Sequence, residues 1–303
     1  MTALPNFFII GAARSGTNSL CRYLAQHPEV YLCPHKEPRF FAFEGERPAF
    51  SGHKPDDYSS LPTFTHLDAY AALFEPSTTA KAVGEASTVY LYYPGDKPAE
   101  RIRFHLPDAK LIAILRQPAD RAYSNFLLAV QSGWEPCTDF GAALAAEEER
   151  AQANWSYFLR YRQNSLYHQQ LMRFYDRFPA AQIKILLYDD LVARPVEVVH
   201  DIFRFLEVDP TFTPDVSRRH VPSRGFRIAV LDHPGAVAGA ISRVVARLPP
   251  ALQRPLRTAV RRWNQGQPPS LDPALRRRLT DGFRPDVLAL ERLIGRDLSP
   301  WLA

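Results

Sequence analysis

The sequence predicts an α/β domain built on a parallel sheet with helices packed against it. Three short apolar runs, at residues 7–10, 111–115 and 183–188, have the length and composition of buried strands. Each run is followed by a turn and then by apolar residues at helical spacing. Strands that alternate with helices favour parallel pairing, and the ligands of such sheets bind at the carboxyl ends of the strands.

The first unit consists of a strand, a glycine-containing loop and a helix. The run Phe-Phe-Ile-Ile at 7–10 ends at Gly11, and Leu20 and Leu24 then fall on one face of a helix that ends before Pro28. A buried strand that enters a helix through a tight turn is the setting in which phosphate groups bind to proteins.

The second and third units repeat this order. The run 111–115 leads to Arg116 and a break at Pro118, and apolar residues four apart then predict a helix. The run 183–188 leads to Asp189, Asp190 and a helix over about 196–206.

The remaining segments predict additions to this core. Residues 44–66 are rich in Pro, Ser, His and Gly and predict a surface excursion. Residues 139–153 predict an exposed helix with acidic and alanine-rich faces, and 272–298 predict one or two helices interrupted near Pro285. Because no repeat or linker stands out, we expect one domain over 1–303.

Composition excludes several classes of protein. The 303 residues carry a net charge of +5 and are 46% hydrophobic, which is ordinary for a globular protein and excludes a disordered or fibrous chain. No apolar run reaches the length of a membrane span, and the first residues lack the features of a signal peptide. Three cysteines without a CxxC motif argue against a disulfide scaffold and against a cysteine zinc site, so we expect a cytoplasmic protein.

The positive charge is unevenly distributed. Residues 218–278 contain thirteen arginines and two acidic residues. Within them, the amphipathic stretch 236–262 has three interpretations: a structural helix pair, an acceptor-side lid extending to residue 270, or a contact with a membrane surface or an acidic carrier protein. Because aromatic residues are scarce there, a nucleic-acid partner is disfavoured.

The loop Gly11-Ala-Ala-Arg-Ser-Gly-Thr17 resembles a phosphate loop that lacks its lysine. Gly11 and Gly16 have the spacing of the GxxxxGK[ST] motif, but Thr17 follows Gly16 directly, and Arg14 is the loop's cation. Without the lysine, phosphoryl transfer of the usual kind is disfavoured. Two interpretations stay open at this point, a site for a less charged group and a tight turn that binds nothing.

A second anion signal follows the second strand. Arg116 ends this strand and Ser124 lies eight residues later on the next helix. If the two strands are neighbours, these residues converge beside the first loop, and two separated anion sites predict a nucleotide with separated phosphates.

Several segments together resemble the sulfotransferases that use 3′-phosphoadenosine 5′-phosphosulfate (PAPS), above all the carbohydrate branch typified by heparan sulfate sulfotransferases and its bacterial relatives. The segments FFIIGAARSGTNSLCRYLAQHPEV (7–30) and LIAILRQPADRAYSNFL (111–127) are similar to the family's 5′-phosphosulfate loop and 3′-phosphate motif. Shorter matches are KEPRFF (36–41), GEAS (84–87), ILLYDDL (185–191) and the end of the chain (271–302). The resemblance implies the P-loop-like sulfotransferase fold, an α/β fold with a central parallel sheet of about five strands flanked by helices.

The resemblance also implies a nucleotide site. The residues expected at the 5′-phosphosulfate are Arg14, Ser15, Gly16, Thr17, Asn18 and Ser19. Arg14 stands where the heparan sulfate branch usually has a catalytic lysine and would neutralise charge on the bridging oxygen. Arg116 and Ser124 are expected at the 3′-phosphate, and Arg224 and Gly225 match a late loop that closes over the nucleotide.

The resemblance implies Glu37 as the general base that deprotonates the acceptor hydroxyl, and His35 is the alternative. Lys36, Glu85 and Ser87 are expected to line the acceptor site. Two alternatives stay open, a solvated Lys36 and a simple packing role for Glu85 and Ser87. Ala86 replaces a lysine of the heparan sulfate branch, which weakens any claim to a sulfated glycan as acceptor.

The expected activity is therefore transfer of a sulfuryl group from PAPS to a hydroxyl of a small molecule, glycan or lipid, with adenosine 3′,5′-bisphosphate (PAP) as product and no metal. Two alternatives remain: a P-loop kinase or NTPase, and a non-catalytic nucleotide-binding protein. Acceptor pockets are built from loops that vary between proteins, so the sequence predicts neither a particular acceptor nor an oligomeric state.

Overall fold

The computed structural model describes residues 4–52, 63–77, 79–217, 225–226, 265–266 and 269–303. Its centre is a sheet of five parallel strands in the order β2-β3-β1-β4-β5. The strands are β1 (Phe7–Gly11), β2 (Val30–Leu32), β3 (Ala82–Ala86), β4 (Lys110–Leu115) and β5 (Ile183–Leu187). A separate antiparallel pair joins β6 (Gly225–Phe226) to β7 (Gln265–Gly266).

The strand order creates a switch point beside β1. Strand β1 lies between β3 and β4, with Ile9 opposite Ala86 on one side and Ile112 on the other. The chain leaves β1 toward β2 and later crosses to β4, so the connections on the two sides run in opposite directions. The crevice at the carboxyl ends of such neighbouring strands is where open α/β sheets bind ligands.

Twelve helices cover the described part of the sheet and its edges. They are α1 (Thr17–Leu24), α2 (Phe40–Phe43), α3 (Leu67–Ala71), α4 (Val89–Tyr92), α5 (Lys97–His105), α6 (Pro118–Ser132), α7 (Phe140–Ala145), α8 (Glu147–Gln152), α9 (Tyr167–Tyr175), α10 (Tyr188–Ala193), α11 (Pro195–Leu206) and α12 (Pro273–Ile294). Short 3₁₀ helices occupy Ala72–Ser77, Tyr157–Leu159, Gln163–Ser165, Ala180–Gln182 and Ser299–Leu302.

Strand β1 supplies a core on each face of the sheet, which explains why it is apolar without alternation. Phe7 and Ile9 belong to a cluster that includes residues of α1 and α11. Phe8 and Ile10 belong to a larger aromatic cluster on the opposite face, where the ring of Phe8 meets the edge of Phe41 at 5.4 Å. A strand buried on both sides fixes the loop that follows it.

The structure confirms the three strand-to-helix units and corrects two segments. Residues 139–153 form two helices, α7 and α8, rather than one. The segment is not fully exposed either, because the buried carboxylate of Glu147 accepts hydrogen bonds from the amides of Arg162 and Gln163 (2.8 and 2.9 Å). Helix α12 continues through Pro285, since buried residues on both sides of the proline, Phe283 and Val287, anchor it.

Three further predictions concern residues that lie wholly or partly outside the described part of the chain. The stretch 236–262 and residues 53–62 of the surface excursion lie outside them, so the interpretations given for these segments stay predictions. The prediction of one domain over 1–303 is untested for the same reason. No described helix combines the length and the apolar character that crossing a bilayer requires.

Candidate active site

The loop between β1 and α1 has a backbone that few residues tolerate. Arg14 has a φ of 71° and Gly16 a φ of 95°, both in the left-handed region. At Gly16 a side chain is also excluded by space, since a Cβ atom would lie 2.9 Å from the ring of Tyr188. This conformation brings the loop to the amino end of α1, where the first amides of the helix are available to an anion.

Arg14 points toward the second anion motif. Its Nε atom donates a hydrogen bond to the hydroxyl of Ser124 on α6, at 3.1 Å. Burial and then the nearby charge of Arg116 lower the pKa of Arg14 to about 10. The structure therefore brings Arg14, Ser124 and Arg116 together.

The guanidinium of Arg116 packs on an aromatic ring that sequence reasoning missed. It lies 5.0 Å from the ring centre of Tyr188, the first residue of α10, and the same ring closes against Gly16. The carbonyl of Arg116 accepts a hydrogen bond from the buried hydroxyl of Tyr167 at 2.9 Å. The tyrosine at the end of the run 183–188 was visible in the sequence, but nothing there indicated which loop it would contact.

The start of α1 carries hydroxyl groups and receives a lysine from another segment. Ser15 and Thr17 are buried, whereas Asn18 is exposed and Ser19 is half-buried. The ammonium of Lys36 lies 3.3 Å from the hydroxyl of Thr17 and also donates to the side-chain carbonyl of Asn18. A lysine that is absent from the loop in sequence is thus present beside it in space.

Glu37 is held in one orientation by Thr88. The amide and the hydroxyl of Thr88 each donate to one carboxylate oxygen of Glu37, both at 2.9 Å. The amide of Glu37 donates to the carbonyl of Ala86 at 2.9 Å. The backbone of Glu37 has a φ of 64°, in the left-handed region, so the chain turns at this residue. Thr88 is a residue that sequence reasoning missed, although it follows the GEAS segment directly.

Glu85 and Ser87 are fully buried behind this carboxylate. The hydroxyls of Tyr90 and Tyr70 donate to the same oxygen of Glu85, at 2.5 and 3.3 Å. Burial raises the pKa of Glu85 to about 8, and the charge of Glu37 acts in the same direction. The hydroxyl of Ser87 accepts from the amide of Arg39 at 2.9 Å. Contact of Glu85 and Ser87 with an acceptor stays a prediction.

The other predicted residues have simpler surroundings. The half-buried imidazole of His35 meets the ring of Phe64 edge to face at 5.1 Å. Gly225 is part of the small antiparallel pair, and Arg224 lies outside the described residues. Over the part of the chain that the structure describes, no group of three His, Cys, Asp or Glu side chains is placed to hold a metal ion.

Comparison with known proteins gives the family. The model of the "Sulfotransferase family" matches residues 5–214, which include both phosphate motifs and the Glu37 segment. The chain belongs to this family.

A solved member of the sulfotransferase family is similar along the whole chain. The crystal structure of a sulfotransferase from Alicyclobacillus acidocaldarius is 36% identical, with a TM-score of 0.77, and the match covers 99% of this chain and 100% of that one. The sulfotransferase domain from the curacin biosynthetic pathway, at 16% identity and a TM-score of 0.51, shows the same fold over 79% of this chain and 83% of that chain. The predicted P-loop-like sulfotransferase fold is confirmed.

Curated sulfotransferases are more distant and much longer. The bifunctional heparan sulfate N-deacetylase/N-sulfotransferase of Drosophila melanogaster is 25% identical over 243 residues, which are 74% of this chain and 22% of that protein. The human bifunctional heparan sulfate N-deacetylase/N-sulfotransferase 2 is 26% identical over 310 residues, which are 99% of this chain and 31% of that protein. This sulfotransferase therefore spans less than a third of the length of these two relatives.

Proposed function

We propose that this sulfotransferase transfers a sulfuryl group from PAPS to a hydroxyl of a small-molecule, glycan or lipid acceptor. The observation that carries the proposal is the hydrogen bond between Arg14 and Ser124, which unites two anion motifs separated by 110 residues in the sequence. A nucleotide with one phosphate group at its 5′ end and another at its 3′ position matches two such motifs at one crevice.

The charges at this crevice fit a polyanionic nucleotide. Burial disfavours the charge of Arg14, and the nearby charge of Arg116 adds to this penalty. An anion bound between them relieves both effects. Arg116 and Ser124 would hold the 3′-phosphate, while Ser15 to Ser19 would hold the 5′ end at the start of α1.

Glu37 would act as the general base. Its carboxylate accepts the proton of the acceptor hydroxyl while the acceptor oxygen forms the new bond to sulfur and the bond between sulfur and the bridging oxygen breaks, leaving PAP. Because Thr88 holds both carboxylate oxygens, the base is already oriented before the acceptor binds. The reacting groups of the chain need no metal for this step.

Two observations bear on the class of acceptor. The curated relatives include enzymes named for N-sulfation of heparan sulfate, which supports a glycan. Position 86 is Ala where the heparan sulfate branch has a lysine, which argues against heparan sulfate as the acceptor of this chain. A hydroxyl acceptor agrees with a carboxylate base, since an alcohol must lose its proton during attack.

The proposed function is tested by measuring sulfuryl transfer directly. The protein is incubated with ³⁵S-labelled PAPS and a metabolite extract, and products are analysed by mass spectrometry for addition of a sulfate group. We expect label in an acceptor and stoichiometric PAP. Nucleotide binding without any labelled product would support a non-catalytic protein, and magnesium-dependent consumption of ATP would support a kinase or NTPase.

A further inference from the structure

A cavity lies on the face of the sheet that carries the aromatic cluster. Its volume is about 460 Å³, within the range of about 300–1,000 Å³ that is usual for small-molecule sites. The end of α4, residues of the segment 160–166, helix α9 and one residue of α12 line it. None of the residues assigned above to the nucleotide, the base or the acceptor is part of this lining. The cavity is therefore distinct from the candidate active site.

The charge of the lining is positive. Three arginines line the cavity, Arg160, Arg162 and Arg173, and no aspartate or glutamate does. Arg173 is already engaged, since it donates to the carbonyl of Tyr93 at 2.5 Å and its Nε atom lies 3.7 Å from a carboxylate oxygen of Asp96. Among the described residues, Arg160 and Arg162 form no salt bridge. Two guanidinium groups can thus attract an anion into the cavity.

The surroundings of Arg160 favour a bound anion as well. Burial lowers the pKa of Arg160, although Tyr157 and Glu147 act in the opposite direction. The carboxylate of Glu147 is itself held by the backbone amides of Arg162 and Gln163, at 2.8 and 2.9 Å. Because burial disfavours an isolated charge, an anion that pairs with Arg160 would relieve the penalty.

Two buried polar atoms in the lining have no hydrogen-bond partner among the described residues, the Oε1 atom of Gln170 and the Nε atom of Arg160. Gln170 is only 4% exposed, and its amide nitrogen donates to the carbonyl of Gln163 at 2.9 Å, which holds the side chain in place. Buried polar groups are nearly always paired in folded proteins. A ligand in this cavity would therefore offer a donor to Gln170 and an acceptor to Arg160.

The cavity is open on the side of α12. Gly282 lies in the interior of this helix, where glycine is less favourable than alanine, and a Cβ atom added to it would meet nothing within 4 Å. Packing therefore does not require the glycine, and the space beside it belongs to the cavity. The buried residues Tyr92 and Tyr93 contribute the aromatic part of the lining.

We propose that this cavity is a second ligand site, which binds a small hydroxylated carboxylic acid. The planar carboxylate matches the guanidinium groups of Arg160 and Arg162, which can each donate two parallel hydrogen bonds. A hydroxyl of the same ligand donates to the Oε1 atom of Gln170. The site is independent of the proposed function, because it shares no residue with the nucleotide site.

A first experiment tests the chemistry of the ligand on the full chain. Ligand-observed NMR measures the affinities of D-glucuronate, of D-glucose, which lacks the charge, and of cyclohexanecarboxylate, which lacks the hydroxyls. We expect glucuronate to bind about tenfold or more tightly than glucose, and about 2- to 10-fold more tightly than cyclohexanecarboxylate. No binding of glucuronate, or equal affinities for glucuronate and glucose, would overturn the proposal.

A second experiment locates the ligand in the cavity. Arg160→Met keeps much of the length of the side chain but removes its charge, so it should weaken glucuronate about tenfold. Gly282→Leu should abolish detectable binding, because the new side chain extends into the open space beside α12. Glucuronate binding that survives both changes would place the ligand elsewhere on the protein and overturn the assignment.

Two matched controls separate loss of the site from loss of the fold. Gly282→Ala improves the helix propensity but adds only a methyl group, so binding should persist. Arg204→Met removes an exposed arginine of α11, which packs on the opposite face of the sheet, and should bind glucuronate like the wild type. Circular dichroism shows that each variant is folded. Equal losses in Arg160→Met and Arg204→Met would mean that net charge, rather than this cavity, attracts the ligand.

Discussion

Arg14 and Ser124 are joined by a hydrogen bond of 3.1 Å, although 110 residues separate them in the chain. The bond links the loop after β1 to the helix after β4, the two strands that meet at the switch point of the sheet. It makes the two anion motifs a single surface. Ligand discrimination at this surface should therefore depend on both phosphate positions of a nucleotide at once.

The first prediction concerns the 3′-phosphate. PAP should raise the melting temperature more than 5′-AMP or ATP at equal concentration, because a ligand that binds the folded state more tightly stabilises it more. Arg116→Ala should weaken PAP about 10- to 100-fold by removing a charge-assisted hydrogen bond, and should leave 5′-AMP nearly unchanged. Equal thermal shifts for PAP and 5′-AMP in the wild type would contradict the assignment.

The second prediction tests the bond between Arg14 and Ser124. Arg14→Gln and Ser124→Ala should each weaken 3′-AMP, and the double variant should lose less than the sum of the single losses, because the two side chains act through one contact. Calorimetric titration of the four proteins gives the coupling. Strict additivity would show that the two residues bind independently.

The third prediction identifies the base. Glu37→Gln keeps the size of the side chain but cannot take a proton, so transfer should fall by about 100-fold or more while the affinity for PAP is preserved. Radiolabel transfer and calorimetry measure the two quantities. His35→Gln is the matched comparison, and turnover that survives Glu37→Gln but not His35→Gln would move the base to His35.

The fourth prediction concerns the residue that orients this base. Thr88→Val is nearly isosteric and keeps the amide donor but removes the hydroxyl that bonds Glu37 at 2.9 Å. We expect kcat to fall by about tenfold, the order expected for one hydrogen bond to a charged group, with PAP affinity unchanged. The serine variant restores a hydroxyl and should recover most of the loss. Failure of serine to rescue would indicate that packing of the threonine methyl is what matters.

The central fold could be predicted because its signals are local. Strands buried on both faces are continuous apolar runs, and Gly11, Pro28 and Pro118 mark their turns. Strand β2 was missed since three residues, of which two are half-buried, leave no distinctive pattern, and β3 was missed since Gly84 and Glu85 interrupt its apolar residues. Pro285 was misleading because the packing of α12 outweighs the local effect of a proline.

The site was harder to predict because its contacts are made between distant segments. Sequence resemblance assigned residues to phosphates, but it could not show that Arg14 bonds Ser124 or that Lys36 reaches Thr17. Thr88 follows the GEAS match directly and Tyr188 lies within the ILLYDDL match, but neither residue had an assigned role. Their positions follow from tertiary packing, which places the residue after a strand against a loop elsewhere in the chain.

The fifth prediction uses the buried carboxyl of Glu85. Its pKa of about 8 in the folded protein lies above the ordinary value of 4.5, with burial as the main cause. The folded state therefore keeps a proton that the unfolded state has lost between these two pH values. Stability from this group is fully present below about pH 4.5 and is lost as pH rises through about 8.

Glu85→Gln fixes the neutral form and should remove this pH dependence. Relative to the wild type, the variant should gain stability from pH 5 to pH 9, by on the order of a few kcal/mol at the upper end, because the amide needs no proton to remain uncharged. Urea unfolding at several pH values measures the difference, and the exposed Glu75→Gln serves as the control that should show none. A difference that stays constant with pH would mean that Glu85 has the same affinity for protons in both states, and that the hydroxyls of Tyr90 and Tyr70 hold it ionised.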